Sequence, residues 1–261
     1  ITVCDREGVV YAGRTVDMDD RKAIYAKDTQ ARTLGEVIVG ADIFLGVSAP
    51  NVLTGEMVKK MASSPIILAL ANPVPEIMPE VAREACPDAL IATGRSDYPN
   101  QVNNVLCFPY IFRGALDVGA REINDEMKMA CVHAIAHLAR QEASDVSAAA
   151  YGGIVPTFGP DYLIPQPFDP RLLVEVASAT AKAAMESGVA TRPLPDFEAY
   201  RERLSQYVFR TGLLMKPIFD AARQDPKRVV FAEGEVETVL RAVQTLVDDG
   251  LAKPILIGRP D

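Results

Sequence analysis

The sequence predicts an α/β fold: a doubly wound parallel sheet, followed by the first βαβ unit of a second α/β domain. Three observations carry that expectation. Short β-rich runs alternate with helical segments from the first residue, as in ITVCD, TLGEVIVGA, DIFLGVS, LTGEMVKKMA, PIILALAN, MPEVAREA and ALIATG. Near-continuous apolar strands in such an alternation belong to a parallel sheet covered by helices on both faces. The pattern gives way to long helical segments and then restarts at KRVVFAEGE and KPILIG, beyond the proline-rich TRPLPDF. Finally, 261 residues with 49% hydrophobic side chains can bury one large core with a second piece attached.

Taken in order, the first four strands end at Asp5, Ser48, Asn72 and Gly94. Open parallel sheets bind ligands in the crevice beyond the carboxyl ends of their strands, so these positions are the first candidates for a site. The run VLCFPYIFRGALDVGA is apolar around most of its circumference and predicts a buried helix beginning near Val105. NDEMKMACVHAIAHLARQEA predicts an amphipathic helix capped by Asn124. The Gly/Pro-rich stretch from Tyr151 to Pro170 reads as an irregular connection. RLLVEVASATAKAAMESGVA predicts a helix that stops at Gly188, and Pro193 and Pro195 mark a linker. One long helix from about Phe197 to Arg223 leads to the restarted βαβ pattern, whose helix covers VETVLRAVQTLVDDG. The expected boundaries are residues 1–190 for the first domain, 191–199 for the linker and 200–261 for the start of the second. The chain opens on one strand-like run and stops after another, so it is expected to be a fragment of a longer protein.

Composition narrows the function classes. A net charge of −8 without a basic block argues against nucleic acid and against anionic membrane surfaces. No apolar stretch is long enough for a membrane span and the start has no signal-like features, so a cytoplasmic location is expected. Cys4, Cys86, Cys107 and Cys131 lack metal-ligand spacing and read as small buried hydrophobes in a reducing compartment.

Individual residues carry more. Asp5, at the end of its strand, stands where a dinucleotide-binding fold places the carboxylate that hydrogen-bonds a ribose hydroxyl, though a solvated turn aspartate would look the same. A cofactor with a 2′-phosphate would need a cation beside that acid, and Arg6 and Arg14 are the nearby candidates. Asn72 follows a buried strand directly, and Pro73 and Pro75 keep the chain behind it out of a helix. That fixes an amide at the sheet edge, where it can donate and accept at once. Asn103 and Asn104 are adjacent at the mouth of the apolar run; one can cap the helix, and the second is surplus to that role. His133 and His137 lie four apart without the glutamate of a zinc motif, and read as helix-packing residues. Glu233 and Glu235 read as acids favouring a helix N-terminus.

The segments CDREGVVYAGR, LALANPVPE and ATGRSDYPNQVNNVLCFPYIFRGALDVGA, in that order, resemble the Rossmann-like NAD(P)-binding domain of bacterial malic enzymes over about residues 1–190. From about Tyr200 to Asp261, RVVFAEGE and GLAKPILIGRP resemble the start of a phosphate acetyltransferase domain, which the hybrid malic enzymes carry behind the oxidoreductase. The resemblance implies oxidative decarboxylation of (S)-malate to pyruvate and CO2 with reduction of NADP, or of NAD, assisted by Mg2+ or Mn2+. It implies contacts to substrate and nicotinamide from Asn72, Asn103 and Asn104 and a ribose contact from Asp5; Arg6, beside that acid, and Ser48, just after its strand, are added as cofactor-binding candidates by position. The family's catalytic tyrosine and lysine and its metal ligands would lie upstream of Ile1, so this chain alone is expected to be inactive. A homo-oligomer and acetyl-CoA as an effector are further implications. The alternatives are another hydroxy-acid or amino-acid dehydrogenase of the same sheet type, or a non-catalytic binding and assembly module.

Overall fold

The computed structural model describes residues 1–141, 157–167, 169–248 and 250–259. The expected irregular connection therefore falls partly outside the described residues, at 151–156 and 168. The chain divides into two compact units, Ile1–Pro193 and Leu194–Asp261.

The first unit opens on a hairpin of two-residue strands, β1 (Cys4–Asp5) and β2 (Gly8–Val9), paired antiparallel. Gly8 turns it: its φ is +97°, and a Cβ there would lie 2.1 Å from the carbonyl oxygen of Arg32, so only glycine fits. Two single-turn helices follow, α1 (Asp20–Ala23) and α2 (Leu34–Val37), the second opened by a capping box between Thr33 and Glu36. The parallel sheet comes next, with β3 (Ile43–Gly46), α3 (Gly55–Val58), β4 (Ile66–Ala69), α4 (Pro79–Ala85) and β5 (Leu90–Thr93), in the order β3-β4-β5. Gly46 pairs with Ala69, and Ala69 with Thr93, so all three strands end level with one another. One face, carrying Phe44, Ile67 and Ile91, packs on Val58, Met61, Ile77 and Ala82. Cover on both faces was expected, but the other face of β3 is open: Ile43 is 56% and Leu45 59% exposed.

The expected helix from Val105 is broken. A 3-10 turn covers Asn104–Leu106, and α5 (Tyr110–Asp117) begins only after Pro109, whose ring and missing N–H cannot be accommodated inside a helix. Nor is α5 buried all round, since Ile111, Gly114 and Ala115 face inward while Phe112 and Leu116 are exposed. Helix α6 (Asp125–Arg140) is capped by the Asn124 side chain, which accepts from Met127 N–H at 3.0 Å. Helix α7 (Arg171–Glu186) packs on both, in a core of Leu106, Ile111, Cys131, Leu138, Leu172 and Val176. It ends as expected at Gly188 (φ +76°), where Gly188 N–H donates to Met185 and Val189 N–H to Ala184, the paired bonds of a Schellman cap.

The second unit holds α8 (Phe197–Gln224), capped by Asp196, then β6 (Lys227–Phe231), α9 (Glu237–Asp248) and β7 (Ala252–Leu256). Strands β6 and β7 are parallel, so the expected βαβ unit is present. Glu235 does more than favour a helix start, because its carboxylate accepts from Arg259 N–H and joins the two strand ends. Among the described residues no helix is long and apolar enough to cross a membrane.

Candidate functional site

The three strand ends of the parallel sheet converge on a polar edge. Ser48, two residues beyond β3, is exposed, with its N–H donating to Glu76 Oε1 at 2.8 Å and its hydroxyl to the same oxygen at 3.3 Å. Asn72 follows β4 by three residues, across a cis peptide bond from Pro73, and is exposed. Its amide lies over the end of β5: a Cβ on Gly94 would come within 2.9 Å of Nδ2 and 3.0 Å of Oδ1. Gly94 is thus the room that the amide occupies. Among the described residues the Asn72 side chain makes no hydrogen bond, leaving a donor and an acceptor open toward solvent.

The chain leaves β5, loops out and returns to it. Val102 N–H donates to Thr93 O at 2.8 Å, and this bond brings Asn103 and Asn104 back to the strand end beside which Asn72 lies. The two amides then divide. Asn103 Oδ1 accepts from Val105 N–H at 3.0 Å and caps the 3-10 turn. Asn104 is exposed and, among the described residues, its side chain has no hydrogen-bond partner. A third amide, Asn100, was not singled out from the sequence. It is buried with φ +57°, donates to Ile91 O at 2.9 Å and to Pro160 O at 2.7 Å, and accepts from Leu163 N–H at 2.7 Å. Asn100 thereby fastens the segment before α7 to the strand beneath the site.

Asp5 belongs to a different cluster, on the hairpin rather than the three-stranded sheet. Arg14 grips both of its oxygens, at 2.8 and 2.7 Å, Lys22 Nζ lies 2.8 Å from Oδ2, and Glu7 N–H donates at 2.9 Å. Partial burial pushes this carboxyl upward, but the bonds from Lys22 and Arg14 outweigh it and hold its pKa down at about 2. Arg14 is itself buried, its remaining donors directed at the carbonyls of Gly8, Val9 and Val16. It is a structural clamp on Asp5. Of the two arginines considered as phosphate cations, Arg6 alone is exposed, paired with Glu7 at 3.2 Å. Lys22 was not foreseen; it also bonds Asp17, at 2.9 Å.

Two further expectations change. His133 and His137 are exposed on α6, not packed in a helix interface, and the described residues contain no group of three or more His, Cys, Asp or Glu able to hold a metal. All four cysteines are free, but only Cys131 is buried; the neighbouring Cys131 thiol holds the Cys107 thiol below its ordinary value, against the upward push of burial.

A parallel α/β sheet whose carboxyl edge gathers unpaired amides defines a Rossmann-like binding domain. Comparison with known proteins makes this specific. The chain belongs to the malic enzyme family: residues 1–151 match the malic enzyme NAD binding domain, and residues 213–261 match phosphate acetyl/butaryl transferase. It is 66% identical along its whole length to the NADP-dependent malic enzyme of Salmonella typhimurium, and 64% identical to an NAD-dependent malic enzyme of Rhizobium meliloti. The chain spans about a third of the length of these relatives, 34% in each case. Among solved structures, the malic enzyme of Entamoeba histolytica aligns over 83% of this chain and 44% of its own, with a TM-score of 0.66 and 31% identity.

Proposed function

We propose that this chain is the dinucleotide-binding part of a longer malic enzyme that oxidatively decarboxylates (S)-malate to pyruvate and CO2 while reducing NADP. The observation that carries the reading is that two exposed amides, which make no side-chain hydrogen bond among the described residues, stand by the end of β5 in a chain of the malic enzyme family: Asn72 beside Gly94, and Asn104 two residues beyond the Val102–Thr93 bond that returns the chain to the strand. Each can donate to a carboxylate and accept from a carboxamide, which are the groups that malate and a nicotinamide present. Ser48 offers a hydroxyl on the same edge, and Asn103 holds its neighbour in place by capping the turn. The bound dinucleotide supplies the hydride acceptor, and the residues of this chain bind and orient.

NADP is favoured over NAD because the Asp5 charge, which would repel a 2′-phosphate, is offset by Arg14 and Lys22, while Arg6 stands exposed beside it. The described residues do not fit a Mg2+ or Mn2+ site, so such an ion would be held by residues of the longer protein outside them. A cytoplasmic homo-oligomer, with acetyl-CoA acting as an effector through the transferase-like unit, completes the reading. The test is steady-state kinetics of the longer protein. Asn72→Ala should lower kcat/KM for malate by roughly 10- to 100-fold, with the melting temperature unchanged, because its side chain has no hydrogen bond among the described residues to lose. Unchanged kinetics would overturn the assignment of this edge.

A further inference from the structure

The side chain most deeply committed to this edge is one that touches no open crevice. Glu76 is fully buried, with 0% of its surface exposed, at the end of the ANPVPE segment. A buried carboxylate is costly unless hydrogen bonds satisfy it. Its Oε1 accepts from the N–H and hydroxyl of Ser48, just beyond β3, and its Oε2 accepts from Ala71 N–H at 3.0 Å, just beyond β4. The carboxylate thus bridges the neighbouring strand ends at the point where they leave the sheet. The backbone around it is tied down as well, since Leu53 N–H donates to Glu76 O at 3.0 Å and Asn51 N–H to Pro75 O at 3.2 Å. Room for it is provided by Gly46, where a Cβ would stand 2.5 Å from Glu76 Cδ.

From this geometry we infer that Glu76 is a positioning residue for the reaction: it sets the backbone of Ala71 and so the place of the Asn72 amide, while holding Ser48 in register with it. The inference rests on the proposed role of the sheet edge. All three groups facing Glu76 donate, so a group that only accepts is required on both of its oxygens. Glutamine keeps the shape but turns one of the two positions into an N–H2, which must face another donor. Glu76→Gln is therefore expected to release the Ala71–Asn72 or the Ser48 side of the clamp with little change in volume.

The experiment is a double-mutant cycle in the longer enzyme, with Glu76→Gln, Asn72→Ala and the pair, scored by kcat, KM for malate and melting temperature. If Glu76 acts through Asn72, Glu76→Gln should lower kcat about tenfold or more in the parent but by less than about twofold in the Asn72→Ala background. Multiplicative losses in the pair, or a fall in melting temperature with kcat of the folded enzyme intact, would overturn the inference and leave Glu76 a structural residue. An Asn72→Ala enzyme with unchanged kinetics would instead refute the reading of the edge itself, which separates the two failures. If Glu76→Gln does not accumulate as folded protein, Glu76→Asp, which keeps the charge and shortens the reach, enters the same cycle under the same criteria.

Discussion

At the scale of single residues, the adjacent amides separate by what their oxygens already do. Asn103 commits its side chain to Val105 N–H, whereas the Asn104 side chain has no hydrogen-bond partner among the described residues. Asn103→Ala should therefore cost about 0.5–2 kcal/mol of stability as a lost cap. Asn104→Ala should leave the melting temperature unchanged and lower malate turnover; thermal denaturation alongside kinetics would show whether the two effects part in this way. The Asp5 cluster makes a prediction in pH. Its carboxyl sits at about 2 against an ordinary 3.8, so the stabilisation from Arg14 and Lys22 is complete above 3.8 and lost as pH falls through about 2. Asp5→Asn should flatten the melting temperature across that interval and lower it near neutrality; an unchanged acid limb would show that the clamp contributes nothing. The sequence placed Asp5 at a strand end and offered Arg14 as a cation near it, but could not reveal that Arg14 grips both carboxylate oxygens or that Lys22 joins it, because a hairpin of two-residue strands leaves no periodicity to read. Asn72 was legible for the opposite reason: a buried strand running straight into Asn-Pro leaves an amide at the sheet edge little freedom. Glu76, four residues further, carried one weak signal, an acid in a proline-flanked segment directly after an apolar strand.

At the scale of elements, the strands β3, β4 and β5, their connecting helices and the Gly188 stop follow from local pattern, and the structure has them, whereas the first run, ITVCD, expected in the same parallel sheet, pairs antiparallel in a hairpin of its own. The misjudged element is α5. Continuous apolarity over VLCFPYIFRGALDVGA suggested one buried helix, but Pro109 divides it, and what remains is an eight-residue helix with one face exposed. Its buried face depends on a single glycine. A Cβ on Gly114 would fall 2.3 Å from Ala177 O and 2.7 Å from Thr180 Cβ, so α5 and α7 cross at backbone contact. Gly114→Ala must push the helices apart and should destabilise the protein by about 1–3 kcal/mol, despite alanine's better helix propensity. A melting temperature at or above that of the parent would mean that the crossing has slack which the distances do not show. Such a contact is invisible to sequence reasoning, since the partners lie more than sixty residues apart and nothing local distinguishes this glycine from a helix breaker.

At the scale of the whole molecule, the two units match different families: the malic enzyme match lies within the first, and the match to the transferase family within the second. The proposed site lies wholly in the first. A ligand that binds the folded state alone raises its stability according to its concentration over its dissociation constant, by about 2.7 kcal/mol at a hundredfold excess. NADP should therefore raise the melting temperature of this chain, and Asn72→Ala should reduce the shift. The family resemblance puts the metal ligands outside this chain, so Mg2+ or Mn2+ alone should leave the melting temperature where it is. Malate with NADP and either metal should likewise give no NADPH from this chain, while the longer protein turns over. A metal-dependent shift, or turnover by the 261-residue chain itself, would place catalytic or metal-binding groups inside it and would require a different division of labour between this chain and the rest of the enzyme.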